Sequence, residues 1–297
     1  MKSSNWRRWR RTSIGLVTLA LAGALLASPV ALGDGAAIPW GAMYTPNEHL
    51  TDGGMTGAVK AYRGTRGAET LLADLPVASE RGVRLILTLG GVSPGDYLDA
   101  EGSLDFEIVE RELAPFLEIA EAIAPYIESG TVWGIRFLDE PHDPSGYPRS
   151  FEIDPIELGE AYARIREHFG GVRIGSTAPP AYMIRVPGAG VSFGQVVHAK
   201  LPPDVTDPVD FHRRESALAH EHGLAYVASL NANTNGVDDE TFFRDYRRMC
   251  EIESVDFATS WQWPQGHHPC PSFGIRFATA DPAVQTEIAA IPAACER

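Results

Sequence analysis

The chain has 297 residues, of which 44% are hydrophobic and 22% charged, with 25 Lys and Arg against 39 Asp and Glu. This size and composition fit one large globular domain and are unlike those of a disordered chain. The formal net charge of −14 argues against nucleic acid or anionic lipid as a partner, because an acidic surface repels phosphate groups.

The first 33 residues have the pattern of an export signal. They contain five basic and no acidic residues, and an apolar run over 14–27 is too short for a permanent membrane anchor. The pair Arg10-Arg11 resembles a twin-arginine signal. We therefore expect a signal peptide over 1–33, with an uncleaved signal anchor as the alternative. The mature domain over 34–297 is then secreted or extracytoplasmic (periplasm or cell envelope), with no stable membrane insertion after cleavage.

After this segment, apolar runs typical of strands alternate with amphipathic runs typical of helices. The expected strands are 38–44, a short one at 58–62, 83–89, 131–138, 172–177, 195–201, 224–230 and 255–261. The expected helices are 68–80, 104–127 (bent or divided by Pro115), 155–169, 210–222, 239–253 and 282–294. Strands without polar alternation are typical of a parallel sheet covered by helices. The pattern predicts one α/β domain, a (β/α)₈ TIM barrel, and no glycine-rich phosphate loop follows the first strand.

Polar and aromatic residues concentrate where the predicted strands end, which is where barrels of this kind carry their function. Flat rings can stack on sugar faces, while carboxylates and amides can bind hydroxyl groups. This mixture predicts a carbohydrate site, with candidates Tyr44, Asp139, Glu140, His142, Lys200, Asn231, Trp261 and Trp263.

The segment 137–143, Phe-Leu-Asp-Glu-Pro-His-Asp, resembles the (E)-x-x-N-E-P-H motif that ends the fourth strand of clan A glycoside hydrolases, the cellulase and mannanase-like TIM barrels. The resemblance implies that Glu140 is the general acid, and it places Trp261 and Trp263 where the clan carries a substrate-stacking Trp. The chemistry agrees for Glu140, because a glycosidic oxygen leaves only when a protonated carboxyl can donate to it.

The sequence also departs from this clan. Asp139 stands where the clan has an Asn that binds the sugar 2-hydroxyl, and Lys60 or Arg63 is the nearest counterpart of the strand-two Arg. No carboxylate lies in 227–233, where the clan has its nucleophilic Glu. A retaining mechanism with a nucleophile on strand seven is therefore not supported.

Three alternatives follow from the missing nucleophile. The enzyme inverts, with a base among Asp139, Asp96, Glu48 and Asp204; it uses the substrate's own N-acetyl group, as in the chitinase-type family that 85–91 weakly resembles; or it binds sugar without cleaving it. Adjacent strand residues point to opposite sides, which argues against Asp139 and Glu140 facing the same bond and leaves the general base unassigned. Asp139 is then a second carboxylate or a hydroxyl-binding group.

The other candidates have weaker roles. His142 either tunes the pKa of Glu140 or binds substrate, unless it is a solvated loop residue. Asn231 either binds hydroxyls or forms a turn. Lys200 is a substrate-positioning or surface residue, with a Schiff-base lysine as the alternative. Trp261 and Trp263, two residues apart, form one stacking surface.

Taken together, these residues predict a secreted glycoside hydrolase-like protein that cleaves O-glycosidic bonds of an oligo- or polysaccharide. The alternative is a non-catalytic carbohydrate-binding or envelope-associated barrel. No residue pattern calls for a metal ion or an organic cofactor.

Three cysteines lie near the C-terminus, in keeping with one disulfide and one spare thiol in an oxidising compartment. Cys250 lies late in the predicted helix 239–253 and Cys295 ends the last helix, so both fall at the bottom of a barrel. Cys270 follows a strand and falls at the top. We therefore expect a bond between Cys250 and Cys295.

Overall fold

A computed structural model of the chain describes residues 37–91, 93–144, 152–196, 201, 204–231, 237–261 and 281–296. Its eight strands pair in chain order, every neighbour parallel. They are β1 (Gly41–Met43), β2 (Gly57–Tyr62), β3 (Arg84–Leu89), β4 (Val132–Asp139), β5 (Arg173–Thr177), β6 (Val191–Val196), β7 (Ala225–Asn231) and β8 (Phe257–Trp261). A parallel bridge between Trp40 and Ala258 joins the first strand region to the last. The predicted (β/α)₈ barrel is confirmed.

Helices alternate with these strands. They are α1 (Gly64–Glu80), α2 (Phe106–Leu117), α3 (Ala120–Glu128), α4 (Pro155–Phe169), α5 (Pro180–Met183), α6 (Pro208–Glu221), α7 (Asp239–Cys250) and α8 (Pro282–Cys295). Five of them begin behind an Asp whose side chain accepts from the first-turn N–H groups, namely Asp105, Asp154, Asp207, Asp238 and Asp281. None of the described helices is both long and apolar enough to cross a membrane.

Buried apolar residues form two clusters, one on each side of the barrel wall. The larger joins the outward faces of the strands to the helices. The smaller fills the barrel interior and is built from strand residues alone: Met43, Val59, Ile86, Trp133, Val191, Phe193, Val227 and Phe257. Two residues further along several strands, on the same face, the interior becomes polar at Thr88, Gln195, Ser229 and Thr259. The barrel interior is therefore apolar and filled by side chains up to the point where it becomes polar, near the carboxyl ends of the strands.

The position of β6 differs from the prediction. The sequence predicted it at 195–201, whereas the strand runs over Val191–Val196. Gly194 lies inside the strand because Tyr226 fills the space beside it: a Cβ there would lie 1.8 Å from the Tyr226 hydroxyl. A glycine within a strand is typical of such close approach.

The sequence also predicted a divided helix and a disulfide, and the structure contains both. The predicted helix over 104–127 is divided into α2 and α3, but the break falls at Glu118 and Ile119, after Pro115 rather than at it. A disulfide joins Cys250 at the end of α7 to Cys295 at the end of α8, with a Cα–Cα distance of 4.8 Å. It attaches the last helix to the barrel, while Cys270 lies outside the described residues.

Candidate active site

The end of β4 has an irregular backbone. Leu138 and Glu140 have φ angles of 63° and 49°, and among the described non-glycine residues only Tyr44, at 62° at the end of β1, shares this left-handed conformation. The register of β4 also shifts between Arg136 and Asp139. Such strain persists only where surrounding structure enforces it, and it clusters at functional sites.

This irregularity changes which side chains face the barrel mouth. Because Leu138 interrupts the regular alternation, Arg136 and Asp139 lie on the same side, with Arg136 Nη1 3.8 Å from Asp139 Oδ1. The strand-alternation argument, which opposed a shared site for Asp139 and Glu140, assumed a regular strand and does not apply here.

Glu140 is held by its backbone and is half-buried. Its N–H donates to the Thr177 carbonyl at 3.0 Å, and its carbonyl accepts from the Asp143 N–H at 3.0 Å. Burial raises the pKa of the Glu140 carboxyl, and the negative charges of Asp139 and Asp143 raise it further. A carboxyl in this setting keeps its proton to higher pH, which is the property of a general acid.

A cavity of about 250 Å³ opens beside Glu140. Its lining comes from the ends of β4, β5 and β6 and from α6: Glu140, His142, Thr177, Ala178, Pro179, Phe193, Gly194, Gln195 and Phe211. Burial lowers the pKa of His142, whose ring packs against Tyr182 at a centroid distance of 6.0 Å. Among the described lining residues, Glu140 is therefore the one acidic side chain in mostly uncharged surroundings.

Arg136 connects this cavity with the rest of the mouth. Its guanidinium is fully buried and donates from Nε to Thr88 at 3.0 Å and from Nη1 to Thr177 at 3.4 Å. Nη2 lies 3.5 Å from the Tyr44 hydroxyl. Trp261 lies beyond it, with its ring centroid 5.9 Å from the guanidinium carbon. One buried cation thus contacts residues from β3, β5 and the ends of β1 and β8.

The aromatic candidates meet above this cation. The rings of Tyr44 and Trp261 pack edge to face, with centroids 6.2 Å apart. Asn231 ends β7 and pairs in register with Trp261 on β8. All three are partly exposed, so they are open to a ligand that enters the mouth.

Other sequence candidates lie elsewhere. Lys60 points away from the mouth and pairs with Asp74 at 2.6 Å. Glu48, Asp96 and Asp204 are exposed, and Asp204 accepts from the surface residue Arg214. Lys200 and Trp263 lie outside the described residues.

Gln195 and Arg136 belong to the site but were not among the sequence candidates. Gln195 began the predicted strand 195–201, whereas the structure places it near the carboxyl end of β6, in the lining of the cavity. Arg136 is fully buried below the mouth. A charged residue within the apolar run 131–138 was the signal, because a buried charge requires a partner inside the fold.

Comparison with solved structures gives fold-level similarity to glycoside hydrolases. Thermotoga maritima Cel5A in complex with mannotriose matches with a TM-score of 0.59 and 12% identity over 85% of this chain and 97% of that one. A Streptomyces thermolilacinus β-mannanase with mannohexaose gives a TM-score of 0.57 and 12% identity over 86% and 89% of the two chains. The Rhizomucor miehei endo-1,4-β-mannanase gives a TM-score of 0.55 and 9% identity over 86% and 95%.

Neither a family model nor a curated protein sequence matches the chain. The solved structures show that the fold is a TIM barrel similar to those of clan A glycoside hydrolases. Glu140 lies at the end of β4 in this barrel. At these identities the likeness concerns the fold, and the activity has to be argued from the site.

Proposed function

We propose that the protein is an exported enzyme that hydrolyses O-glycosidic bonds of an oligo- or polysaccharide at the carboxyl end of its barrel, with Glu140 as general acid. The observation that carries this proposal is the Glu140 carboxyl, held by strained backbone at the end of β4, raised in pKa and facing a cavity. The signal peptide proposed for 1–33 would deliver the protein to a compartment where such polymers occur.

In the proposed reaction, the Glu140 proton passes to the glycosidic oxygen as the C–O bond breaks, and the leaving sugar departs as an alcohol. Water supplies the new hydroxyl at the sugar carbon and gives its second proton to a base or to solvent. Tyr44 and Trp261 would stack on the sugar, and Asn231 and His142 would bind hydroxyls. Lys200 and Trp263 are proposed to extend this binding surface.

The test compares wild type with Glu140→Gln on β-mannan, β-glucan, xylan, chitin and α-glucan, measured as reducing-sugar release. Glutamine keeps the shape of the side chain and removes its acid proton, so we expect a loss of about 10²–10⁴-fold on the polymer that wild type cleaves. Glu121→Gln, an exposed change on α3, is the matched control and should retain full activity. Equal cleavage by wild type and Glu140→Gln would exclude Glu140 as the acid.

A second candidate function is carbohydrate binding without cleavage. The observation that favours it is Asn231, an amide at the end of β7, where clan A hydrolases need a carboxylate nucleophile. This function predicts no release of reducing sugar by folded wild type, but retarded migration in gels that contain the recognised polysaccharide. Trp261→Ala should abolish that retardation, whereas Glu140→Gln should only weaken it.

A further inference from the structure

Arg136 is the most fully enclosed charged side chain of the barrel interior, with an exposed fraction of 0%. It lies where the apolar interior gives way to the mouth. Its contacts, Met43 Sδ at 3.7 Å among them, come from four strands or strand ends besides its own. Since the cation does not reach solvent, its role is exerted through these neighbours.

A buried guanidinium is costly unless an opposite charge lies near it. Among the described residues, the carboxylate recorded beside Arg136 is Asp139, at 3.8 Å. The Asp139 side chain is only 13% exposed, and its buried Oδ1 makes no hydrogen bond with the described part of the chain. The pair is therefore held by charge and by the barrel rather than by close hydrogen bonds.

Asp139 precedes Glu140, so the pair lies directly beside the proposed acid. We propose that Arg136 and Asp139 form a positioning ion pair: the guanidinium orients Tyr44 and Trp261 as a sugar-binding surface, and it offsets the charge that Asp139 presents to Glu140. The sugar-binding role of this ion pair rests on the proposed function. Its effect on the charge around Glu140 does not, and it can be measured in the protein without substrate. The ion pair gives Asp139 the role of counter-ion rather than that of general base.

The charges that act on Glu140 define what each change should do. Asp139 and Asp143 are the acidic neighbours that raise its pKa, and burial keeps the neighbouring His142 ring neutral to lower pH by lowering its pKa. Removing the Asp139 charge leaves the Arg136 cation uncompensated and should lower the Glu140 pKa. Removing the Arg136 cation leaves Asp139 uncompensated and should raise it.

The experiment titrates the side-chain carboxyl carbon of Glu140 by ¹³C NMR in full-length protein without substrate, with Glu140→Gln identifying the resonance. We expect the midpoint to rise by about one pH unit in Arg136→Met and to fall by about one pH unit in Asp139→Asn. The double variant Arg136→Met/Asp139→Asn should return close to wild type. Arg213→Met, which removes an exposed α6 cation paired with Asp210, should leave the midpoint unchanged. Shifts of equal sign, or no shifts, would overturn the proposal.

Whether the variants fold is a second test of the ion pair. If a single variant does not fold while the double variant does, the charges are coupled, as proposed. If the double variant also fails to fold, Arg136→Lys decides, because it keeps the charge and loses the planar fork. Arg136→Lys should leave the Glu140 midpoint in place and weaken polysaccharide binding or raise KM at least fivefold, and unchanged binding contradicts the positioning role.

These outcomes separate the inference from the proposed function. If wild type cleaves no polymer, the glycosidase proposal fails while the opposite NMR shifts still establish the ion pair. If wild type is active and the shifts are absent, the ion-pair inference fails and the role of Glu140 as acid stands.

Discussion

Two buried ion pairs lie on opposite sides of the same barrel wall, and they differ in how completely their polar atoms are satisfied. Outside the sheet, Asp74 of α1 accepts from Lys60 at 2.6 Å, Tyr62 at 2.8 Å and Asn47 at 2.7 Å. Inside the sheet, Asp139 lies 3.8 Å from Arg136.

This difference indicates that the outer pair stabilises the fold, whereas the inner pair serves the site. The outer cluster has short contacts on both oxygens of Asp74, and it joins β2 and α1 to the turn that carries Asn47. Its groups have little left to offer a ligand. The inner pair lies below a partly exposed aromatic surface, and its guanidinium contacts that surface at Tyr44 and Trp261.

The largest expected effect comes from breaking the outer pair. Asp74→Leu leaves the nearly buried Lys60 ammonium without its counter-ion and the Tyr62 hydroxyl without its acceptor, so we expect a loss of about 3–5 kcal/mol in the free energy of unfolding. Urea denaturation followed by circular dichroism measures it. The control is Asp52→Leu, which removes a half-exposed carboxylate that pairs with His49 and should cost less than about 1 kcal/mol.

A second substitution in the same pair tests whether the loss is due to the unpaired charge. Adding Lys60→Met to Asp74→Leu removes the uncompensated charge and should recover most of the lost stability. A double variant no more stable than Asp74→Leu alone would show that packing, not charge pairing, is the contribution of Asp74.

A smaller effect is expected at Gly194, where the two sides of the wall meet. The residue lines the cavity beside Glu140, and its missing side chain accommodates the buried Tyr226 hydroxyl, which bonds His212 at 2.9 Å. Gly194→Ala should therefore cost about 1–3 kcal/mol and reduce ligand binding. Gly171→Ala, at a position with no atom within 4 Å of an added Cβ, should change stability by less than about 0.5 kcal/mol. Equal effects of the two changes would contradict the close approach.

The barrel could be predicted from sequence because its signals are local. Uninterrupted apolar runs identified the strands, and β3, β5 and β7 lie within one residue of their predicted bounds. The misplaced strand, β6, has Gly194 in its middle, and the side chain that lies beside this glycine, Tyr226 of β7, is distant in sequence and is not visible in a local pattern.

The site was predictable in part for the same reason. Glu140 could be proposed as the acid because its motif is contiguous in sequence. The grouping of Arg136 with Asp139 depends on the left-handed backbone of Leu138, which a period-two pattern does not foresee. Gln195 reaches the cavity through the true register of β6, so it was missed together with that register.

The titration of Glu140, inside the barrel, should also make the stability of the protein depend on pH. Because the folded protein raises the Glu140 pKa from its ordinary value of 4.5, the native state binds this proton more tightly than the unfolded state does. Stability is then lost as pH rises from 4.5 through the folded pKa. Glu140→Gln removes the titration, so it should be more stable than wild type at neutral pH, and this advantage should shrink as pH falls through the folded pKa towards 4.5. Thermal unfolding across pH measures the difference, and an advantage that is independent of pH would contradict it.

The smallest expected effect is at Ser229, which is compared with a second buried serine across the wall. Ser229, on the inner face of β7, has a buried hydroxyl that makes no hydrogen bond with the described residues. Ser176, on the outer face of β5, bonds the Tyr162 hydroxyl at 2.6 Å and donates to the Phe137 carbonyl. Ser176→Ala leaves two buried partners unsatisfied and should cost about 1–3 kcal/mol, whereas Ser229→Ala removes an unsatisfied group and should change stability by about 0–1 kcal/mol in the stabilising direction. Chemical denaturation of both variants decides it: a comparable loss at Ser229 would mean that the interior of the barrel is satisfied as fully as its outer layer.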